Sequence, residues 1–183
     1  MENTALVKEW EERIVALSSS FKDAFGALSE AQLQQKPKET AWSIAQNLEH
    51  LIRNNESYYT VFENLKNNTL NLPILGKWMH KLFGKMILKS VNPDRAKKIK
   101  TFKMWEPEAV KKSGTTLDAF LNHQESFAVN LESLVPFVNE DPVIHSPANK
   151  TICFSLSMAM DIILTHEERH LNQALEVKRA LSL

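Results

Sequence analysis

His166 and His170 stand four residues apart in the segment THEERH, residues 165 to 170. On a helix that spacing puts two imidazoles on one face, with Cβ atoms roughly 5–6 Å apart. Two such rings can ligate one metal ion at ~2.0–2.1 Å each. The run His166-Glu167-Glu168-Arg169-His170 also fits H-E-x-x-H, the pattern of zinc peptidases. In those enzymes the glutamate is the general base. That chemistry needs a third ligand, usually downstream, and a strand to bind substrate. Only 13 residues follow His170 and none is histidine, while Glu176 points elsewhere around the helix. No edge strand is expected either, so the peptidase reading fails. Two readings remain: a different metal site, or a pair of hydrogen-bonded core histidines. Either way both rings need partners, because an unpaired charged histidine in an apolar seam is costly.

The element that carries them has such a seam. Leu156, Ala159 and Ile163 lead into His166 and His170, and Gln173/Ala174, Val177 and Leu181 continue in register. The two histidines therefore occupy core positions. A third histidine would have to come from elsewhere, and the candidates are His50, His80, His123 and His145. Periodicity does not choose among them. The apolar stripe of the second segment is Ile44, Leu48, Leu51, Asn55, Tyr59 and Phe62, and His50 lies off it beside Ser43, Gln46, Asn54 and Ser57. Taken alone, His50 reads as a surface residue. His80 lies among lysines that would weaken metal binding. His123 and His145 read as surface or capping residues.

Five amphipathic segments follow from apolar spacing. They run from about Thr4 to Leu28, Ala41 to Asn67, Pro73 to Lys89, Thr115 or Thr116 to Val138, and from near Thr151 towards the C-terminus. Thr40 is the expected N-cap of the second, and Pro73 a first-turn residue of the third. SEAQLQQKPKET reads as a connector. The stretch from Ser90 to Gly114 is long for a compact domain, and loops of that length often cover a site. No strand pattern or internal repeat is evident. The expectation is an all-α chain: one domain over residues 1–183, an antiparallel four-helix bundle with an additional short helix and a long connecting loop.

Composition agrees. The chain has 183 residues, 43% hydrophobic and 24% charged, with 4 Gly and 7 Pro. No apolar run approaches the roughly 20 residues of a membrane span, and the acidic, amphipathic N-terminus does not resemble a signal peptide. One cysteine, Cys153, excludes an internal disulfide and fits a cytoplasmic location. Formal net charge is zero, which argues against a dedicated nucleic-acid binder. The charge is uneven: Lys77 to Lys112 holds 11 Lys/Arg against 3 Asp/Glu.

AWSIAQNLEHL, residues 41–51, resembles the second-helix motif of the DinB-like superfamily, a group of metal-binding bundles that includes YfiT-like proteins. There Trp, Ser/Thr and Ile/Val are followed by a His eight residues after the Trp and then an aliphatic residue. Trp42, Ser43, Ile44, His50 and Leu51 fill it. The second motif of that group, H-x-x-x-H on the last helix, is filled by His166 and His170. The long first segment and LSEAQLQQKP are also similar, so the resemblance covers essentially the whole chain.

The resemblance implies a bundle in which His50, His166 and His170 hold one divalent metal ion, with the remaining positions open to water or substrate. Zinc and nickel are the expected ions. Three protein ligands and an open position are the catalytic arrangement. Relatives in the superfamily include transferases that use a low-molecular-weight thiol such as bacillithiol. The resemblance therefore implies a metal-dependent enzyme with a small-molecule substrate, acting as a thiol-dependent S-transferase or a hydrolase, and a homodimer. The competing expectation is a non-catalytic, stress-related binding module with a structural metal or none.

Three further features belong to no motif. Lys77, Lys81, Lys85 and Lys89 recur every four residues beside Trp78, Leu82, Phe83 and Met86. They read first as a solvated face, and no membrane partner is expected; an anion site or a membrane-surface helix are the alternatives. Cys153 reads as a small buried apolar residue rather than a reactive thiolate. Met104 and Trp105 sit where the long loop could close over a site, or simply pack.

Overall fold

A computed structural model describes residues 2–94, 101–108 and 114–183. The helices are α1 (Glu2–Phe25), α2 (Glu30–Gln34), α3 (Ile44–Lys66), α4 (Ile74–Val91), α5 (Thr116–Glu132) and α6 (Leu156–Ala180). A 3-10 turn, Lys103–Trp105, lies between α4 and α5, and another, Val135–Phe137, follows α5. Among the described residues no helix is long and apolar enough to cross a membrane.

Local chemistry sets the boundaries. Ser43 caps α3 by accepting from the Gln46 amide while the Gln46 side chain returns to the Ser43 N–H, and Thr115 and Asp118 make the same box at α5. The expected Thr40 cap is thus replaced by Ser43. Pro73 is the N-cap of α4 rather than its first helical residue. α5 stops at Glu132, earlier than its apolar spacing predicts, because Pro136 in the following turn has no N–H to extend the helix. α6 starts at Leu156 rather than near Thr151. The residues before it form strand β2 (Cys153–Ser155), paired antiparallel to β1 (Val143–His145) with Ile144 opposite Phe154. Three residues per strand are too few to show an alternation in the sequence. The expected connector after Ser29 contains α2, whose Glu30 carboxylate accepts from the N–H and the hydroxyl of Thr116 and so fastens α2 to the start of α5.

Four helices make the bundle. α1 packs on α5 and α6, and α3 packs on the same two, so α5 and α6 face each other across a diagonal. α4 lies outside this square, against β2 and α6. It approaches closely through Gly76 and Gly84, both buried. A Cβ on Gly76 would lie 2.5 Å from Cys153 Sγ and 3.1 Å from the Thr151 carbonyl. We expect Gly76→Ala to destabilise the fold by about 1–3 kcal/mol, the usual cost of overpacking. Urea unfolding would read this as a lower midpoint. A midpoint raised by the helix preference of alanine would mean that α4 stands further from β2.

The core is split in two. One apolar cluster takes Val7 to Leu17 of α1, Tyr58 to Phe62 of α3, Phe127 and Leu131 of α5, and Leu156 to Leu164 of α6. The other takes Phe21 and Phe25, Ile44 to Ile52, Leu117 and Phe120, and Ala174 and Val177. On α3, α5 and α6 the gap between the clusters holds Asn54, Asn55, Gln124, Glu167 and His170, all buried, and half-buried His166. A polar layer therefore crosses the bundle at one level.

Candidate metal centre

His50 enters this layer from α3, and His166 and His170 from consecutive turns of α6. Their Nε2 atoms converge: His50 to His166 is 3.3 Å, and His166 to His170 is 3.1 Å. One ligand nitrogen from each ring falls within 4.8 Å of the others. His50 is only 2% exposed, so its reading as a surface residue is corrected. What covers it is the Lys103–Trp105 turn. The His50 Nδ1–H donates to the Trp105 carbonyl at 2.7 Å, and Trp105 Nε1 donates to the Ser57 hydroxyl at 3.0 Å, pinning the turn to α3. Arg53 adds an ion pair to Glu108 of the same loop at 2.7 Å. Trp105 thus belongs to the site through its backbone, whereas Met104 remains exposed.

His170 is fixed in the same manner. Its Nδ1–H donates to Asn47 Oδ1 at 2.8 Å. Trp42 lies over the pair, with its ring 5.0 Å from His50 and 6.0 Å from His170. With Nδ1 committed as donor on His50 and His170, their Nε2 atoms are left as lone pairs. Both face His166 Nε2, which can carry one proton at most when neutral. At least one of the short contacts is then lone pair against lone pair. A cation removes that conflict. Tetrahedral ligation at ~2.0–2.1 Å places ligand nitrogens roughly 3.3–3.4 Å apart, close to the 3.1 and 3.3 Å found here. The donor set fits a divalent ion.

The rings are also kept neutral, as metal ligands must be. Burial pushes the His50 imidazole down to about 4, against the opposing pull of the Trp105 carbonyl. Burial likewise holds His166 and His170 well below the usual histidine range, helped by neighbouring histidines and Arg169. The centre opens onto a cavity of about 540 Å³. Its wall mixes apolar side chains such as Phe102 and Ile162 with Lys38, Arg169 and Glu176.

The other histidines stay apart. His80 on α4 donates to the Lys77 carbonyl. His123 is buried against Tyr59 and Phe127, and His145 lies buried in β1, so neither is a surface or capping residue. Cys153 is buried in β2, and burial pushes its thiol up, as a packing residue requires. Glu167, the glutamate of H-E-x-x-H, turns away from the centre. It is fully buried and accepts from Asn55 Nδ2 and Gln124 Nε2, both at 2.7 Å. The sequence offers Glu49, Asn47 or a backbone carbonyl as acceptors for the second nitrogen of a ligating histidine; Asn47 and the Trp105 carbonyl take that place, whereas Asn55 was legible only as a polar position on a long helix.

A four-helix bundle with three convergent histidines is the class that fold and site define. The chain belongs to the DinB superfamily, whose family model matches residues 13–174. Among solved structures it is similar to YfiT from Bacillus subtilis, described as a probable metal-dependent hydrolase with an unusual four-helix bundle topology. That likeness has a TM-score of 0.61 at 13% identity and covers 96% of this chain and 87% of the other. At such identity it is a likeness of fold. A comparison with curated proteins found no match.

Proposed function

We propose that the protein is a metal-dependent enzyme in which His50, His166 and His170 hold one divalent ion, zinc or nickel, through Nε2. The observation that carries this is the convergence of three Nε2 atoms while Nδ1 of His50 and His170 is bound elsewhere. The description of YfiT as a probable metal-dependent hydrolase supports the same class. A divalent ion so held supplies Lewis acidity, which lowers the pKa of a water or thiol brought to it. The chain's own residues orient and exclude. Trp105 and Asn47 fix the ring tautomers, Trp42 covers two rings, and the cavity admits a small-molecule substrate. Glu176 is the one carboxylate among the described residues that line the cavity. With Glu167 turned away, no glutamate of the H-E-x-x-H run is available as a base. That favours transfer from a low-molecular-weight thiol over peptidase-like hydrolysis. The cluster holds three ligands beside an open cavity rather than four in a closed shell, which favours a catalytic over a structural ion.

Elemental mass spectrometry on tag-free protein tests the reading. About one ion per chain is expected in the wild type and background levels in His50→Ala and His166→Ala. Asn47→Leu should retain the ion with roughly 10–100-fold weaker affinity, since His170 would lose its orienting acceptor. Metal lost only in His166→Ala would remove His50 from the ligand set. A folded wild type that takes up no ion on reconstitution would sink the proposal.

A further inference from the structure

The solvent side of α4 differs from that of the other helices among the described residues. Nine of its residues are exposed, and all nine are either large and apolar or lysine. Ile74, Leu75, Trp78, Leu82 and Met86 make the apolar set, from 51% exposed at Met86 to 83% at Trp78. Lys77, Lys81, Lys85 and Lys89 make the other, and α4 contains no Asp or Glu. Around the helix the two sets overlap, with Lys85 and Lys89 falling inside the apolar arc. Gly76 and Gly84 hold the opposite side against β2 and α6, so this face is presented outward by close packing rather than by a loose helix.

We propose that this face of α4 is a docking surface for an anionic lipid bilayer. The mix of exposed apolar residues and lysines, with no carboxylate on the helix, chooses the occupant. A helix lying in a membrane interface carries Trp and Leu on one side and Lys beside them, with low overall hydrophobicity. Lysine stems lie along the apolar surface while their ammonium groups reach the phosphates. The centres of protein–protein interfaces, by contrast, are depleted of lysine. A second copy meeting this face about an antiparallel two-fold axis would set each lysine row against its own image, with no carboxylate on α4 to compensate. Ile87, Ser90 and Val91 line the cavity from the inward side of the same helix, so the docking face and the cavity share α4 but lie on its opposite sides.

Vesicle co-sedimentation of the full chain tests this, with equimolar phosphatidylglycerol and phosphatidylcholine against phosphatidylcholine alone, at low ionic strength. Binding to the anionic vesicles should be roughly tenfold or more tighter, and should weaken as salt rises. The double variant Trp78→Ser/Leu82→Ser changes only exposed side chains and should fold normally by circular dichroism while losing sedimentation. Lys81→Glu/Lys85→Glu should lose the preference for anionic lipid and keep the fold. No sedimentation of the wild type would overturn the proposal. So would equal binding by the charge-reversed variant, or a wild-type dimer that the Trp78/Leu82 variant converts to monomer, which would make the face a protein interface.

Discussion

Glu167→Ala is expected to cost the fold about 3–5 kcal/mol, more than an ordinary surface or capping change. Glu167 is the shared acceptor of two buried amides, Asn55 Nδ2 on α3 and Gln124 Nε2 on α5. Its removal leaves both donors without a partner where no solvent reaches them, and each orphan costs about 1–3 kcal/mol. The vacated volume adds a cavity term. The contact with Gln124 also spans the α5–α6 diagonal. A control separates the loss of an acceptor from the loss of volume. Glu167→Leu combined with Asn55→Leu and Gln124→Leu removes donors and acceptor together, so it should be less destabilised than Glu167→Leu alone. Urea unfolding of the four proteins measures this. If the single leucine variant matched the wild type, Glu167 would not hold the amides in solution.

The placement of Glu167 shows what periodicity conveys and what it omits. The seam on α6 placed His166 and His170 on one face, and their rings meet in the structure, while Glu167 turns to Asn55 and Gln124. Its full burial was not legible, because a helix packed by α1 and α3 on neighbouring sides, with α4 outside them, buries far more than one stripe. The same limit applies to His50. Its face is covered by a 3-10 turn more than fifty residues further along the chain, and a helical wheel carries no trace of a covering segment from elsewhere in the chain. Only the family motif Trp42-Ser43-Ile44 with His50 pointed to it. The bundle itself was legible because its four main helices are long and strongly patterned. The β1–β2 pair and α2 were not, since three to five residues give no period to detect.

Lowering the pH from about 7 to about 5 should destabilise the metal-free protein. The sign depends on two opposing groups. Between pH 6.5 and about 4 the unfolded chain takes up a proton that folded His50 refuses, so stability falls as pH falls. That gap is worth about 3 kcal/mol in full. Glu167 works the other way. Burial lifts its carboxyl from 4.5 to about 7, against the Asn55 and Gln124 hydrogen bonds. The folded chain therefore holds a proton that the unfolded chain has released, and stability rises as pH falls through that window, by about 3 kcal/mol. His50 and Glu167 nearly cancel. His166 and His170, both held well below their ordinary value, decide the outcome in favour of acid destabilisation. Removing the opposing group exposes the balance: Glu167→Gln should make the acid limb steeper by about 3 kcal/mol, while losing stability at neutral pH only through its altered amide contacts. Saturating zinc should raise the neutral-pH midpoint and steepen the acid limb further, because protons must displace the ion before the rings can charge. The measurement is the urea midpoint from about pH 8 to about pH 5, with and without zinc. Stability that rises as pH falls in the metal-free protein would mean that the three rings are solvated and free to take protons, leaving Glu167 alone to set the slope, and the packed histidine layer would not exist in solution.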